Sequence, residues 1–217
     1  ILSTIYLYLK QKKLIKMIII FLITILVVSP YLYRNYSVFG VITITKSGGY
    51  NLLKGNHPNT KVEGTPMFLK VSEVIPEVKT KMDELIQKGP SNNYDLQQDK
   101  ILLDQAVKFI KEDPLKYIKL YFQKFLSFMF IDINANYAKY YSPMHLVPKL
   151  ILAITTFIGI ILSFNFKINA SNFISFYYFA NIGLFSIFFI LPRYSLSLLT
   201  IQVILSLFII KKLKPDL

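Results

Sequence analysis

Cysteine and tryptophan are both absent from this chain of 217 residues, and histidine occurs only twice. Without cysteine the chain can form neither a disulfide framework nor a thiolate metal site. A zinc site built from His57, His145 and scattered carboxylates is not expected either, so the sequence predicts no metal site. Any folded part outside a membrane must therefore be held together by packing alone.

Acidic residues are also scarce, since 12 Asp and Glu stand against 25 Lys and Arg, for a formal net charge of +13. In a soluble protein this excess would favour nucleic acid as the partner. Here 53% of the residues are hydrophobic, and the basic residues stand beside apolar runs, where they determine topology and attract anionic lipid. No basic motif or base-stacking platform of a known type occurs. We therefore expect membrane lipid, and no nucleic acid, as a partner.

Four apolar runs are candidates for membrane helices. They are residues 14–29, 146–164, 173–191 and 196–210. Residues 1–9 would be the end of an earlier helix. Because the chain begins without Met inside that apolar stretch, we interpret it as the carboxyl-terminal part of a longer protein.

Lysines give the expected orientation of these runs. They precede the first run, lie between the second and third, and follow the fourth: Lys10, Lys12, Lys13, Lys16, Lys167, Lys211, Lys212 and Lys214. By the positive-inside rule these places are cytoplasmic. The segment 30–145, which holds eleven of the twelve acidic residues, is then extracytoplasmic.

These patterns predict an all-α polytopic membrane protein with about four transmembrane helices and a mainly helical extracytoplasmic loop domain. Residues 1–29 would hold the end of one membrane helix, a cytoplasmic turn and the first full span. Residues 30–145 would form the extracytoplasmic domain, and residues 146–217 three membrane helices with a short cytoplasmic tail. Proline and glycine favour loops in the first half of the outer domain, with a brief strand at 41–45.

The second half of the outer domain is predicted to contain two helices. Asp95 can cap the first, which runs to about Glu112, and Asp113-Pro114 stops it and starts the second. The second helix, 114–130, has a narrow polar stripe on an otherwise apolar surface. That stripe consists of Lys116, Lys119, Gln123 and Ser127. We expect this helix to lie in the membrane interface or to pack under a membrane domain, with an ordinary core helix as the alternative.

Three further features occur in a particular order along the chain. Residues 30–36 read PYLYRNY at the end of the first apolar run. Residues 49–52 and 55–58 then read GYNL and GNHP. The two helices around Asp113-Pro114 come third, and residues 192–194 (PRY) follow the third apolar run. In this order the chain resembles the dolichyl-phosphate-mannose protein mannosyltransferase-like (GT-C type) superfamily of membrane glycosyltransferases.

The resemblance implies an inverting transfer of a sugar from a polyprenyl-phosphate donor to an extracytoplasmic acceptor. It implies a location in the bacterial cytoplasmic membrane, with residues 30–145 outside. The family carries a carboxylate, as base or metal ligand, in its first extracytoplasmic loop, which would precede residue 1 of this chain. The catalytic residues are therefore expected upstream of residue 1. No cofactor is evident in this chain, and the resemblance allows a divalent metal in the full-length protein.

Arg34 and Arg193 are the only arginines, and each falls at the outer end of a predicted membrane helix. A guanidinium can donate two parallel hydrogen bonds to a lipid phosphate, which favours both as donor-binding residues. Anchoring to lipid headgroups is the alternative for each. The remaining candidate substrate-binding residues are Asn35, Tyr50, Asn51, Asn56 and Tyr194. For the asparagines, closing a turn is at least as good an explanation.

Two other function classes stay open. A non-enzymatic binding or sensor protein would need a cytoplasmic output module after the last span. A transporter or flippase subunit would need charges or broken helices inside the membrane, and few charges lie within the predicted spans. The polar residues of the third run, Tyr177, Tyr178 and Asn181, are expected to face other helices because polar groups in lipid need partners.

Overall fold

The computed structural model describes residues 14–63, 75–89, 91, 93–131, 142–164 and 170–213. In this part of the chain every regular element is helical and no strand occurs, which confirms the predicted all-α class. The brief strand predicted at 41–45 is wrong. These residues form an irregular loop, and no neighbouring strand exists in the described ranges to complete a ladder with it.

The helices are numbered here in chain order. They are α1 (Leu14–Phe39), α2 (Gly48–Gly55), α3 (Pro76–Gln87), α4 (Tyr94–Glu112), α5 (Pro114–Met129), α6 (Pro143–Ser163), α7 (Ala170–Ile187), a 3-10 helix (Pro192–Leu198) and α8 (Leu199–Leu213). The residues predicted to end an earlier helix, 1–9, lie outside the described part of the chain. The lysines at positions 10, 12, 13, 167 and 214 also lie outside it.

Helix α1 does not end at residue 29 as predicted but continues through Pro30 to Phe39. Proline has no N–H, so the carbonyl of Leu26, four residues earlier, loses its usual helical donor. The hydroxyl of Ser29 donates to that carbonyl at 2.9 Å and replaces the missing bond. The helix stops at Gly40, whose φ of 71° is a left-handed conformation that glycine adopts readily.

Among the described residues, two helices are long and apolar enough to cross a membrane, Leu14–Phe39 and Pro143–Leu162. Their apolar surfaces are mostly not covered by the rest of the chain, unlike those of a core helix in a soluble protein. The stretch Tyr194–Ile210 is apolar but shorter. The arrangement with four spans therefore stays a prediction, whereas an all-helical protein with two candidate spans is what the structure shows.

The described residues pack into two compact units. The first consists of the described parts of Ile1–His57 and Met67–Glu112, and the second of those of Pro58–Pro66 and Asp113–Leu217. The boundaries of these units differ from those of the predicted topological segments. The units reflect packing, whereas the segments were predicted from the side of the membrane on which each residue lies.

In the first unit, α2 and α3 pack against α4. Their shared core consists of Leu53, Ile75, Val78, Met82, Leu102 and Ala106. The backbones of α2 and α4 come so close that a Cβ atom at Gly49 would overlap the carbonyl oxygen of Asp99. Only glycine fits at that crossing.

In the second unit, α5 begins as predicted, because Asp113 is the N-cap and accepts the N–H of Lys116 at 3.1 Å. Pro114 is the first helical residue, where its missing N–H is harmless. The core of this unit contains Phe128, Met129, Ile160, Tyr178, Ile182, Ile190, Leu198 and Leu205. Tyr178 is buried and accepts a hydrogen bond from the Gln202 amide at 2.9 Å, which confirms that it faces another helix. Tyr177 is exposed, which corrects the prediction for that residue, and the Asn181 amide donates to the Tyr177 carbonyl of its own helix at 2.7 Å.

Candidate functional site

The first unit contains a cleft of about 570 Å³. It is lined by Tyr31, Ile44, Thr45, Lys46, Ser47, Tyr50, Asp95, Gln98, Asp99 and Leu102. The lining combines two tyrosine rings with an amide, two carboxylates and an ammonium group. A concave surface with aromatic area and a few fixed polar groups is typical of a small-ligand site.

Four local structures bring these side chains together. Helix α1 contributes Tyr31, the loop after Gly40 contributes Lys46, and the start of α2 contributes Tyr50. Helix α4 forms the opposite wall. Its four lining residues are Asp95, Gln98, Asp99 and Leu102, whose spacing of three and four positions puts them on one helix face.

Asp99 has a structural role in this cleft. Its Oδ2 accepts the N–H of Gly49 and its Oδ1 accepts the N–H of Tyr50, both at 2.9 Å. Ser47, the residue at the N-cap position of α2, makes no side-chain capping bond. The carboxylate of Asp99 therefore caps α2 from the neighbouring helix, where the helix dipole favours a negative charge. This arrangement already occupies the N-terminus of α2.

Lys46 and Asp95 form an ion pair at 2.7 Å across the cleft. Both side chains are exposed, so the pair contributes little stability in water. The ammonium group of Lys46 also lies 4.5 Å from the centre of the Phe39 ring, a cation–π contact with the end of α1. The two contacts tie the loop between α1 and α2 to its neighbours on both sides.

Arg34 and Asn35 lie on α1 and not, as predicted, in a segment after it. Asn35 is 2% exposed, and its amide donates to the carbonyl of Thr43 at 2.7 Å, so it holds the loop after α1. Arg34 is exposed and donates to the Asn35 side-chain oxygen at 3.2 Å. It follows Tyr31 by three residues and therefore lies on the same side of α1 as that cleft residue.

The predicted residues of α2 divide into one that faces the cleft and two that do not line it. Tyr50 lines the cleft. The amide of Asn51 donates to the carbonyl of Ser47 at 2.8 Å, and that of Asn56 to the carbonyl of Leu52 at 2.9 Å. Both asparagine side chains therefore have a local structural role, because each bonds backbone four residues earlier.

Arg193 and Tyr194 belong to the second unit, in the 3-10 helix. The Tyr194 ring stacks on Phe185 with centroids 6.1 Å apart, and its N–H donates to Leu191 at 2.9 Å. This tyrosine is thus partly a packing residue. The side chain of Arg193 lies outside the part that the structure describes.

A buried polar cluster in the second unit was not predicted from the sequence. Glu63 is 2% exposed, and its carboxylate accepts the hydroxyl of Ser127 at 2.7 Å. The ammonium group of Lys149 on α6 is also buried and interacts electrostatically with Glu63. Ser127 was predicted on the outward polar stripe of α5, and its burial corrects that prediction. Glu63 gave no signal because it stands alone in a loop without periodicity.

Lys124 lies one turn before Ser127 and is 1% exposed. Its ammonium group donates to the carbonyl of Phe188 at 3.1 Å, directly after the C-terminus of α7. A helix C-terminus favours a nearby cation. Burial nevertheless lowers the pKa of Lys124 from 10.5 to about 7, because the charged form is poorly solvated there.

Within the described ranges, no three His, Asp or Glu side chains come together in a way that could hold a metal ion. No protein-family model, curated protein or solved structure matches the chain. The relation to membrane glycosyltransferases therefore stays a prediction from the sequence.

Proposed function

We propose that this protein is an integral membrane glycosyltransferase that uses a polyprenyl-phosphate sugar donor, and that the cleft of its first unit binds a saccharide. The observation that carries the proposal is the lining of this cleft. Its tyrosine rings can stack against a sugar ring, and its amide, carboxylate and ammonium groups can bond hydroxyls. The cleft includes Tyr31 of α1, a helix of membrane-spanning length.

The polar side chains have separate roles in this proposal. Gln98 is the cleft residue best suited to bind a sugar hydroxyl, since its side-chain amide can both donate and accept a hydrogen bond. Asp99 and Asp95 are engaged with backbone amides and with Lys46, so we assign them structural and positioning roles. Arg34, on the Tyr31 side of α1, is the proposed contact of the donor phosphate. None of the described cleft residues is assigned the role of the catalytic carboxylate.

The first experiment compares two adjacent glutamines of α4 in membranes that contain the protein. Gln98 lines the cleft, whereas Gln97 is exposed and is not part of the lining. Gln98→Ala should raise the KM for the saccharide by roughly tenfold, the value of one or two hydrogen bonds. Gln97→Ala should leave the KM unchanged. Equal KM values in both variants would remove the cleft from the substrate site.

The second experiment tests Arg34 with a substitution that keeps the charge. Arg34→Lys loses the fork of parallel donors, so a bidentate phosphate contact should weaken and transfer should fall by roughly ten- to hundredfold. Headgroup anchoring would survive the change, because lysine also reaches the interface. Transfer from a polyprenyl-phosphate sugar is measured at matched membrane expression. A transfer activity of Arg34→Lys within about twofold of wild type would exclude the phosphate contact and indicate that Arg34 anchors the helix to lipid headgroups.

Saccharide binding without any sugar transfer would contradict the enzymatic proposal and favour a membrane binding or sensor protein. The binding arm is measured separately, as equilibrium retention of a labelled polyprenyl-phosphate sugar on the same membranes. Loss of binding in Gln98→Ala without loss in Gln97→Ala would then still assign the cleft.

A further inference from the structure

Helix α5 presents an exposed apolar surface, which we name the outer row. It consists of Leu115, Ile118, Phe122 and Leu126. Each of these side chains is more than half exposed. Their spacing of three and four residues forms one stripe along the helix. Four large apolar side chains in a row are unfavourable to leave in water, because moving apolar surface into an apolar phase is stabilising.

A basic edge runs beside the outer row. Lys116, Lys119 and Gln123 are all exposed and follow one another around the helix from that row. Lys116 uses one of its three donors on the carbonyl of Pro58, at 3.1 Å. Lys119 lies directly next to the outer row, between it and the other two residues.

The third face of α5 is buried and fixes how the helix is rotated. Tyr117, Leu120 and Phe128 are buried on this face. Phe128 stacks on Phe185 of α7 with ring centroids 5.5 Å apart. Because this face is committed to the interior of the second unit, the outer row points away from it.

We infer that the outer row of α5 docks onto a lipid bilayer with anionic headgroups, which meet Lys119. The same compact unit contains α6, a helix long and apolar enough to cross a membrane, so a bilayer is the apolar phase available to this unit. A protein partner covering the row would also bury Lys119, whereas at a bilayer surface a lysine stem lies on apolar groups and its ammonium group meets headgroups. The inference does not depend on glycosyl transfer.

The absence of tryptophan from the chain provides the test. Phe122→Trp introduces the single tryptophan of the chain, in the outer row and at an exposed position where the larger ring is tolerated. Gln123→Trp is the matched control on the neighbouring basic edge. In vesicles, brominated lipid should quench the Phe122→Trp variant strongly and acrylamide should quench it weakly. Acrylamide should quench the Gln123→Trp variant more than the Phe122→Trp variant.

Equally strong quenching of both variants by acrylamide would overturn the inference, because the row would then be in water. Quenching of the Phe122→Trp variant by neither agent would also overturn it, since protein, such as a second copy of this chain, would then cover the row. The result that supports docking is stronger quenching by brominated lipid at position 122 and stronger quenching by acrylamide at position 123.

A second measurement tests the anionic headgroup. Quenching of the Phe122→Trp variant by brominated phosphatidylglycerol is compared with quenching by brominated phosphatidylcholine. One lysine near an anionic surface corresponds to a preference of about fivefold. Adding Lys119→Gln should remove most of this preference, whereas adding Lys79→Gln, at an exposed lysine of the first unit, should not. No preference in the protein with Lys119 intact would overturn the assignment of anionic lipid.

Discussion

Gly159 of α6 lies directly against the backbone of Leu205 in α8, so closely that a Cβ atom on the glycine would overlap the Leu205 carbonyl oxygen. Hydroxyl groups reinforce this contact. Thr156 donates to the carbonyl of Gln202 at 3.2 Å, and Thr155 and Ser206 hydroxyls are 3.0 Å apart. Small residues with interhelical hydrogen bonds are how helices associate in membranes, where lipid supplies no hydrophobic drive between them.

Gly159→Ala should therefore separate α6 from α8. The clash is with backbone and cannot be relieved by a side-chain rotation, so we expect a loss of about 2 to 3 kcal/mol, at the upper end for overpacking. Gly183→Ala is the control, because its Cβ would meet only the Tyr121 hydroxyl at 3.2 Å, the end of a side chain that can move. Unfolding in detergent is the measurement. Equal unfolding midpoints for both variants would contradict the close helix contact.

Some features that depend on neighbouring residues in the sequence were predicted well, although Asp95 is not the predicted cap of α4, because that helix already includes Tyr94. Asp113-Pro114 predicted a helix start, because the capping and proline preferences act within one turn. The end of α4 at Glu112 followed from the same pair. The course of α1 was misjudged because proline usually ends a helix, and the compensating bond from Ser29 to Leu26 is visible only in the structure.

Features that join distant parts of the sequence were not predicted. Asp99 caps α2 from 50 residues away, and Ser127 bonds Glu63 from 64 residues away. No local pattern encodes such a pair, since each partner alone resembles an ordinary surface residue. For the same reason the sequence could suggest Tyr50 as a binding residue but could not suggest Gln98 beside it.

The capping bond of Asp99 predicts a specific loss of stability. Asp99→Ala removes both acceptors of the Gly49 and Tyr50 N–H groups, and we expect a cost of about 1 to 2 kcal/mol, as for other lost N-caps. Asp104→Ala, one to two turns later on the exposed side of α4, should cost less than about 0.5 kcal/mol. Denaturant unfolding of the two variants distinguishes these values. Comparable losses would show that Asp99 does not cap α2.

The buried amine of Lys124 predicts that stability rises with pH above neutrality. Its pKa is about 7 in the folded protein and 10.5 in the unfolded chain. Between these values the unfolded chain retains a proton that the folded protein has released. The free energy of unfolding should therefore increase by about 1.4 kcal/mol per pH unit, or about 2 kcal/mol from pH 7 to 9, and be flat with respect to this group below pH 7.

Lys124→Met should abolish most of this slope, whereas Lys119→Met, an exposed lysine of the same helix, should retain it. The measurement is the free energy of unfolding in detergent between pH 7 and 9, a range in which ordinary lysines and tyrosines titrate little. A wild-type slope that survives in Lys124→Met would assign the effect to another group.

Glu63 and Lys149 attract each other although they lie 86 positions apart in the sequence. Their substitutions should therefore have strongly coupled effects on the free energy of unfolding. Glu63→Gln keeps an acceptor for the Ser127 hydroxyl but removes the negative charge that faces Lys149. Removing one of two buried charges that attract each other should destabilise the folded protein, because the other charge stays in a poorly solvating environment. Lys149→Met should be costly for the same reason, since it leaves the buried carboxylate without that partner charge.

The double variant Glu63→Gln with Lys149→Met removes both charges and should cost less than the sum of the single changes, by about 1 to 3 kcal/mol. Ser127→Ala combined with Lys149→Met serves as the control cycle. Its Ser127 change removes the hydroxyl donor but no charge, so its coupling should be smaller than that of Glu63 with Lys149. Free energies of unfolding in detergent at one neutral pH give both cycles. Additivity of the Glu63 and Lys149 changes within about 0.5 kcal/mol would mean that the two charges do not stabilise each other in the folded protein.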